Sequence, residues 1–534
     1  MNIIRHVRLP LVFLFFLSVA SLPAGALQHA DTSLMVPTTA GQIQGSPRPG
    51  GGAEFLGIPY AQPPIGDLRW REPLPAKPWT GVRSATTFGA PCSQPDLGDW
   101  NRRDAQTGKE DCLFLNVIVP AWPIPKPLPV MFWIHGGANE GGTASSALYK
   151  DGTLVNHGVI LVTVNYRLGI FGFLAHPELT AESAHHSSGN YGLMDQILAL
   201  HWVRDNIAKF GGDVNNITVF GQSAGAMDTS MLMTSPLGKG LFQKALAESG
   251  AAFTAPLLPL ANAEQAGARL ARAIGAAEGD GQIRELRALS GPALLAALAK
   301  LDPRSRPRVG PDIDGYVLPQ QPAIVFASSQ QAHVPFVYGT STREFGGNQS
   351  ADQLRLTIHL TAGAFADKAL AAYGLANGGQ GTTDPKYGTP ADQWTADMIF
   401  RCPSVTQAAW HAAANNPTWE YEFNHAIPGQ EAQGAVHSAD LPYVFGYFPK
   451  TGNIAGNFTD VDKKLADLIE TYWTNFAKTG NPNSPGVPNW PQQGDNGTYI
   501  QFQQDGKVEI AHGLRAAQCD IYRQWLTAQM HPTH

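Results

Sequence analysis

A serine flanked by glycines, Gly221-Gln222-Ser223-Ala224-Gly225, follows the apolar, β-branched run Ile217 to Phe220 and precedes AMDTSMLMTSP, a segment compatible with a helix. A strand, a turn that admits only the smallest side chains, and a helix would hold the Ser223 hydroxyl exposed above a sheet, as a nucleophile requires. By itself G-x-S-x-G is a weak signal, because Gly, Ser and Ala are common in loops; the strand and helix around it give it weight. A serine hydroxyl also needs a base to take its proton and a group to orient that base. The chain has 16 histidines. His6 lies in an N-terminal targeting segment, His185 and His186 in a polar loop, and His531 and His534 at the C-terminus. His437, in GAVHSADLPYVFG, has glycine and small residues before it and Asp440 and an aromatic-rich apolar run after it. On the residues alone it is one candidate among several.

The wider pattern resembles the type B carboxylesterase family, the α/β-hydrolases that include the cholinesterases and the bacterial para-nitrobenzyl esterases. The serine signature is met from Phe210 to Gly225, FGGDVNNITVFGQSAG, and an acidic pair before a cysteine by EDCLFLNV, Glu110 to Val117. Further matches are FLGIPYAQPPIGDLRW from Phe55, NYRLGIFGFL from Asn165, GNYGLMDQ from Gly189, GNPN from Gly480 and QCDIYRQWL from Gln518. The resemblance therefore covers nearly all of the chain beyond the leader. It implies Ser223 as nucleophile, His437 as general base and Glu344, in VYGTSTREFGG, as the acid that orients the base. That chain order, Ser, Glu, His, is the one expected of α/β-hydrolases. The chain departs from the family around the acid, where Asn more often precedes it and Gly follows it; here the neighbours are Ser341, Arg343 and Phe345. A surface carboxylate paired with Arg343 is the alternative reading of Glu344. Asp440 is the second candidate orienter, although three residues from His437 it reads more simply as a carboxylate fixing the local loop.

A developing oxyanion is best held by preorganised backbone N–H groups. Val130 to Ile134 reads as a buried strand, and His135-Gly136-Gly137-Ala138 after it resembles the family's H-G-G-G turn. The resemblance implies Gly137, Ala138 and Ala224 as donors, with Ala138 in place of a third glycine and His135 as a structural anchor. Trp100 resembles the tryptophan that cholinesterases stack on a quaternary ammonium; an aromatic packed under a disulfide-closed loop is the plainer reading. Gln222 stands where cholinesterases carry Glu, which removes a charge attraction for cations and implies a preference for neutral esters. The family pattern also pairs Cys92 with Cys112 and Cys402 with Cys519, out of three pairings that four cysteines allow.

The elements that must position these groups are legible in outline. Apolar strands such as Val159 to Val164 alternate with helical segments such as Met194 to Phe210, which predicts an α/β fold with a central, mostly parallel sheet flanked by helices. The Ala-rich stretch Ala261 to Leu301 predicts a pair of helices. The most linker-like run, Gly374 to Pro390, falls between Glu344 and His437, so a domain boundary there would split the catalytic set; it reads as a surface loop, and residues 27–534 as one domain.

Residues 1–26 read as a secretory signal, with Arg5 and Arg8, the apolar core LPLVFLFFLSVASL and Ala24-Gly25-Ala26 as a cleavage site. The expectation is an exported protein, periplasmic or secreted, without a stable membrane anchor. Neither CxxC spacing nor a histidine at ligand spacing from a cysteine is present, so no metal is expected, and no cofactor. A net charge of −6 with scattered Lys and Arg excludes nucleic acid as a plausible partner. Sequons at Asn216, Asn348, Asn457 and Asn496 read as turn-favouring asparagines. A small-molecule ester is the expected partner, for a monomer or weak homodimer. Lipase, polyester hydrolase, mycotoxin esterase and amidase remain open within the family, as does a non-catalytic adhesion protein from outside enzymology, which the intact Ser223, Glu344 and His437 disfavour.

Overall fold

The computed structural model describes residues 33–254, 256–494 and 496–530; the signal read at residues 1–26 lies outside them. The main sheet has eleven strands: β1 (Ser46–Pro47), β2 (Ala53–Pro59), β3 (Phe114–Val119), β4 (Leu128–Ile134), β5 (Ile160–Val164), β6 (Gly212–Gln222), β7 (Lys244–Glu248), β8 (Phe336–Ser341), β9 (Thr418–Phe423), β10 (Thr498–Phe502) and β11 (Val508–His512). Their order is β11-β10-β9-β8-β7-β6-β4-β5-β3-β2-β1. Every pairing from β10 across to β5 is parallel. The pairings beyond those limits are antiparallel. Parallel neighbours need long crossovers, and helices supply them on both faces.

Side chains alternate across the sheet, so each central strand feeds two cores. In β4, Val130, Phe132 and Ile134 enter one and Met131 and Trp133 the other. Ile217 and Val219 of β6 divide from Phe220 in the same way. Strands buried on both faces read as unbroken apolar runs, which is why VMFWI and ITVF stand out in the sequence. Helices α1 (Tyr191–Asn206) and α2 (Ala224–Thr234) cover the first face through Leu193, Ile197, Leu200, Met231 and Leu232. On the second face, the longest helix among the described residues, Asp460–Thr479, presents Leu465, Ile469, Trp473 and Phe476. It starts at a capping box, Thr459 with Asp462, and stops at left-handed Gly480.

The stretch predicted as two helices forms three, Leu260–Ala273, Gln282–Ala288 and Gly291–Leu298. Gly275, Gly279 and Gly281 all take positive φ between the first two, and Ser290 caps the third by accepting from Ala293 N–H. The Gly374 to Pro390 run is loop with a single short turn of helix at Ala376–Gly378. Both disulfides form as the family pattern implies, Cys92 with Cys112 and Cys402 with Cys519. From Leu34 onward the chain groups into one compact unit.

Candidate active site

β6 ends at Gln222 and α2 begins at Ala224, leaving Ser223 alone in the turn with φ 59° and ψ −125°. Side chains rarely adopt that conformation, and its strain persists only where the surroundings hold it. The flanking glycines are needed for space. A Cβ on Gly225 would lie 2.0 Å from the Ile134 carbonyl oxygen, and one on Gly221 only 2.5 Å from the Gly225 backbone. The end of β4 thus packs directly against the turn, and the Ser223 N–H donates to Glu248 O at 2.9 Å to tie it to β7.

Beyond β8, Glu344 sits at φ 43° and forms a one-residue bridge with Val436. This brings two distant chain segments into register. The His437 N–H donates to Glu344 O at 3.1 Å, and the Arg343 N–H to Ala435 O at 2.9 Å. The Glu344 carboxylate is wholly buried: Oε1 accepts the Ser341 N–H at 2.8 Å and Oε2 lies 2.6 Å from His437 Nδ1. Glu344 does not pair with Arg343, whose guanidinium donates to the Lys386 and Pro385 carbonyls instead. Asp440 makes no hydrogen bond to the imidazole; its Oδ2 accepts from Tyr421 OH at 3.3 Å.

An acceptor at Nδ1 fixes the tautomer: the ring proton sits on Nδ1 and Nε2 keeps its lone pair. That lone pair faces Gln222, whose Nε2 donates to it at 3.1 Å. The Gln222 Oε1 packs towards Gly136, so the amide presents N–H to the ring. No hydrogen bond joins Ser223 Oγ to the ring among the described residues, so in the free protein the base is paired with the residue before the serine. Catalytic hydrogen bonds commonly tighten only when substrate is present. Phe345 and Phe400 cover the imidazole, with ring centroids 4.4 and 4.6 Å away.

The turn after β4 carries Gly137, Ala138 and Asn139 all at positive φ. Among the described residues no protein acceptor takes the N–H of Gly137, Ala138 or Ala224, which leaves three backbone donors for a ligand. His135 is buried and stacks on Tyr166 at 4.5 Å. Burial lowers its pKa to about 4, so at neutral pH it is an uncharged anchor, with Nδ1 2.9 Å from Gly136 O. A serine in a strained turn, a histidine oriented by a carboxylate and free backbone amides are the groups that acyl transfer requires.

A profile described as the Carboxylesterase family matches residues 32–522. The chain belongs to that family. It is 36% identical to a para-nitrobenzyl esterase of Bacillus subtilis (strain 168), over 86% of this chain and 92% of that protein. With a fumonisin B1 esterase of Sphingopyxis macrogoltabida it shares 34% identity, over 91% and 89%. The solved structure of a thermophilic PNB esterase superposes with a TM-score of 0.80 at 32% identity, covering 92% of this chain and all of the other. The fold is that of the α/β-hydrolases and the enzyme is a carboxylic ester hydrolase.

In this carboxylesterase a cavity of about 460 Å³ opens beside Ser223, Ala138 and Ala224. Its walls are mainly apolar, with Met227, Leu257, Ile399, Phe345 and Phe400 among them. Among the described residues Arg308 is the one basic side chain on its wall, and Asp312 is on the wall as well. Trp100 is not on that wall. It is about half exposed, and its ring tip lies against the backbone of Gly137 and Gly141.

Besides Glu344, several buried carboxyls lie near the site, Asp228, Asp440 and Glu248 among them. Burial raises Asp228 to about 7; it accepts from Asn139 and Gln196, and so anchors the residue after Ala138. Burial, then the charge of Glu344, raises Asp440 to about 6. Glu248 is raised well above its ordinary value by burial and by Asp440. Sequence reasoning missed Asp228, Phe400 and the Gln222 contact. Gln222 stands beside Ser223 and Asp228 one turn into the helix that follows it, so both offered a positional signal, whereas Phe400 reaches the site from a separate element with no motif of its own.

Proposed function

We propose that this carboxylesterase acts through an acyl-enzyme on Ser223. His437, oriented by Glu344, takes the Ser223 proton as Oγ attacks the ester carbonyl, and the amides of Gly137, Ala138 and Ala224 hold the oxyanion. The alcohol leaves with the proton from His437. Water then gives a proton to the same nitrogen and attacks the acyl group, and Ser223 Oγ leaves by taking that proton back from His437. The observation that carries this reading is the Glu344 to His437 Nδ1 contact at 2.6 Å, because it leaves Nε2 as an acceptor beside the serine turn. During turnover Nε2 exchanges its Gln222 partner for Ser223 Oγ.

The substrates are neutral esters with an apolar acyl or alcohol group. The apolar cavity supports this, and so does neutral Gln222 beside the serine; similarity to a para-nitrobenzyl esterase is consistent with it. The two disulfides and the signal-like leader support an exported enzyme, periplasmic or secreted. A panel of nitrophenyl esters from C2 to C16 carbons, run with wild type and Ser223→Ala, tests the reading. Turnover that disappears in Ser223→Ala is expected; equal turnover in both proteins would overturn it.

A further inference from the structure

The turn that carries two of the three free amides has little backbone bonding of its own. The Gly137 carbonyl accepts from Glu140 and Gly141 N–H at 3.0 and 2.9 Å; Asp228, Tyr166 and the Gly169 N–H hold Asn139 at its far end, and the disulfide-closed loop holds Gly141 and Gly142. Gln94, two residues past Cys92, is buried. Its Nε2 donates to Cys92 O at 3.0 Å and to Gly142 O at 2.9 Å. Its Oε1 accepts the Gly142 N–H at 2.8 Å and Asn101 Nδ2 at 3.0 Å. Two N–H groups and two lone pairs are all that a primary amide has, so every valence of Gln94 is used and its orientation is fixed. Asn101 is itself held: its Nδ2 donates to Pro95 O and its Oδ1 accepts from Leu97 N–H, both at 2.9 Å.

The packing agrees with the hydrogen bonds. A Cβ on Gly141 would lie 2.9 Å from both Asn101 Nδ2 and Trp100 Cη2, and 3.1 Å from Gln94 Oε1. One on Gly137 would lie 3.2 Å from the same Trp100 atom. Three side chains of the disulfide loop therefore meet at one glycine of the oxyanion turn.

We propose that Gln94, with Asn101 and Trp100, is a positioning unit for the oxyanion amides, so that the Cys92–Cys112 loop sets turnover as well as stability. The proposal rests on the reading of Ser223 as nucleophile and of Gly137 and Ala138 as oxyanion donors. Donors of this kind work only when they are already in place as charge develops, and three consecutive residues at positive φ do not hold themselves. None of the three side chains touches the reacting atoms. Their effect passes through Gly141 and Gly142.

The test uses the full chain with a nitrophenyl butyrate and a trifluoromethyl ketone that mimics the tetrahedral adduct. Gln94→Leu removes all four bonds; Gln94→Glu keeps the acceptor and sets a carboxylate oxygen against the Cys92 and Gly142 carbonyls. Each should lower kcat by about 10- to 100-fold with KM within about threefold, and weaken the ketone by a similar factor. Trp100→Ala, at a half-exposed position that tolerates truncation, should lower kcat about 3- to 10-fold, equally for neutral and cationic esters. A lowered Tm with unchanged kcat and ketone affinity in Gln94→Leu and Trp100→Ala would reduce the three residues to scaffold and overturn the proposal. Turnover that survives Ser223→Ala would overturn the nucleophile reading and this proposal together. Ser223-dependent turnover that the Gln94 and Trp100 variants leave intact would overturn this proposal alone.

Discussion

The serine turn and the oxyanion turn lie side by side at the ends of β6 and β4, yet they are held in different ways. The serine turn takes its shape from its own neighbours: Ser223 is the only residue between strand and helix, Gly221 and Gly225 let the backbone of Ile134 come within contact, and the Ser223 N–H ties it to Glu248 O. The oxyanion turn is fixed from outside, by Gln94 and Trp100 some forty residues earlier and by Asp228 from α2. The base resembles the oxyanion turn, because Glu344 and His437 meet only through pairing of distant segments. Chemistry that sits on a local turn leaves a motif in the sequence. Chemistry that is assembled from distant segments leaves single residues.

The largest effect should come from the local turn and its base. Ser223→Ala and His437→Ala should each cut kcat/KM for a nitrophenyl ester by about 10⁴-fold or more, and the double variant should be little worse. Additive losses would mean that the two residues do not act as a unit. Next comes the assembled acid. Glu344→Gln should lower kcat by about 10²- to 10⁴-fold, while Asp440→Asn stays within about threefold; the opposite ranking would hand the orienting role to Asp440.

The disulfides sharpen the contrast further. By loop length, removal of Cys92–Cys112 should cost about 3 kcal/mol of stability and removal of Cys402–Cys519 about 5 kcal/mol. The weaker of the two should carry the larger fall in kcat, because it anchors the oxyanion turn; chemical denaturation and kinetics on both pairs of Ser variants check this. A smaller effect concerns pH. The Asp440 carboxyl, raised to about 6 by burial and then by Glu344, binds its proton more tightly in the folded protein than in the unfolded chain. Its contribution to stability is therefore complete below about pH 4 and is lost as pH rises through about 6. Between pH 4 and 7 the stability of Asp440→Asn relative to wild type should climb, by on the order of 2 kcal/mol. A constant difference across that range would contradict the assignment. The smallest effect expected is a preference of no more than about 30-fold for a thiocholine ester over its uncharged tert-butyl isostere, about 2 kcal/mol, because Gln222 supplies no charge.

The sequence made much of this legible. FGGDVNNITVFGQSAG fixes strand, turn and helix around Ser223 because each step is a local steric demand. The runs VMFWI and ITVF show as central strands because burial on both sheet faces removes polar alternation. His437 is one candidate among several on the residues alone, and family resemblance both selects it and supplies Glu344, since nothing in REF or VHS announces that the two segments pair. The four-bond amide of Gln94 is invisible in the sequence for the same reason, and only its place beside Ser223 hints at the Gln222 contact with His437: a glutamine looks alike whether it is solvated or saturated by buried partners. The alanine-rich periodicity of Ala261 to Leu301 predicts two helices where the structure has three, because Gly275, Gly279 and Gly281 interrupt it at positive φ.

The central claim is that Ser223 is the nucleophile and that His437 activates it. A fluorophosphonate probe, followed by digestion and mass mapping of the labelled peptide, tests it most directly. Wild type should label once, on Ser223; His437→Ala should label far more slowly and Ser223→Ala not at all. A label on any other residue, or one that survives in Ser223→Ala together with ester turnover, would contradict the account.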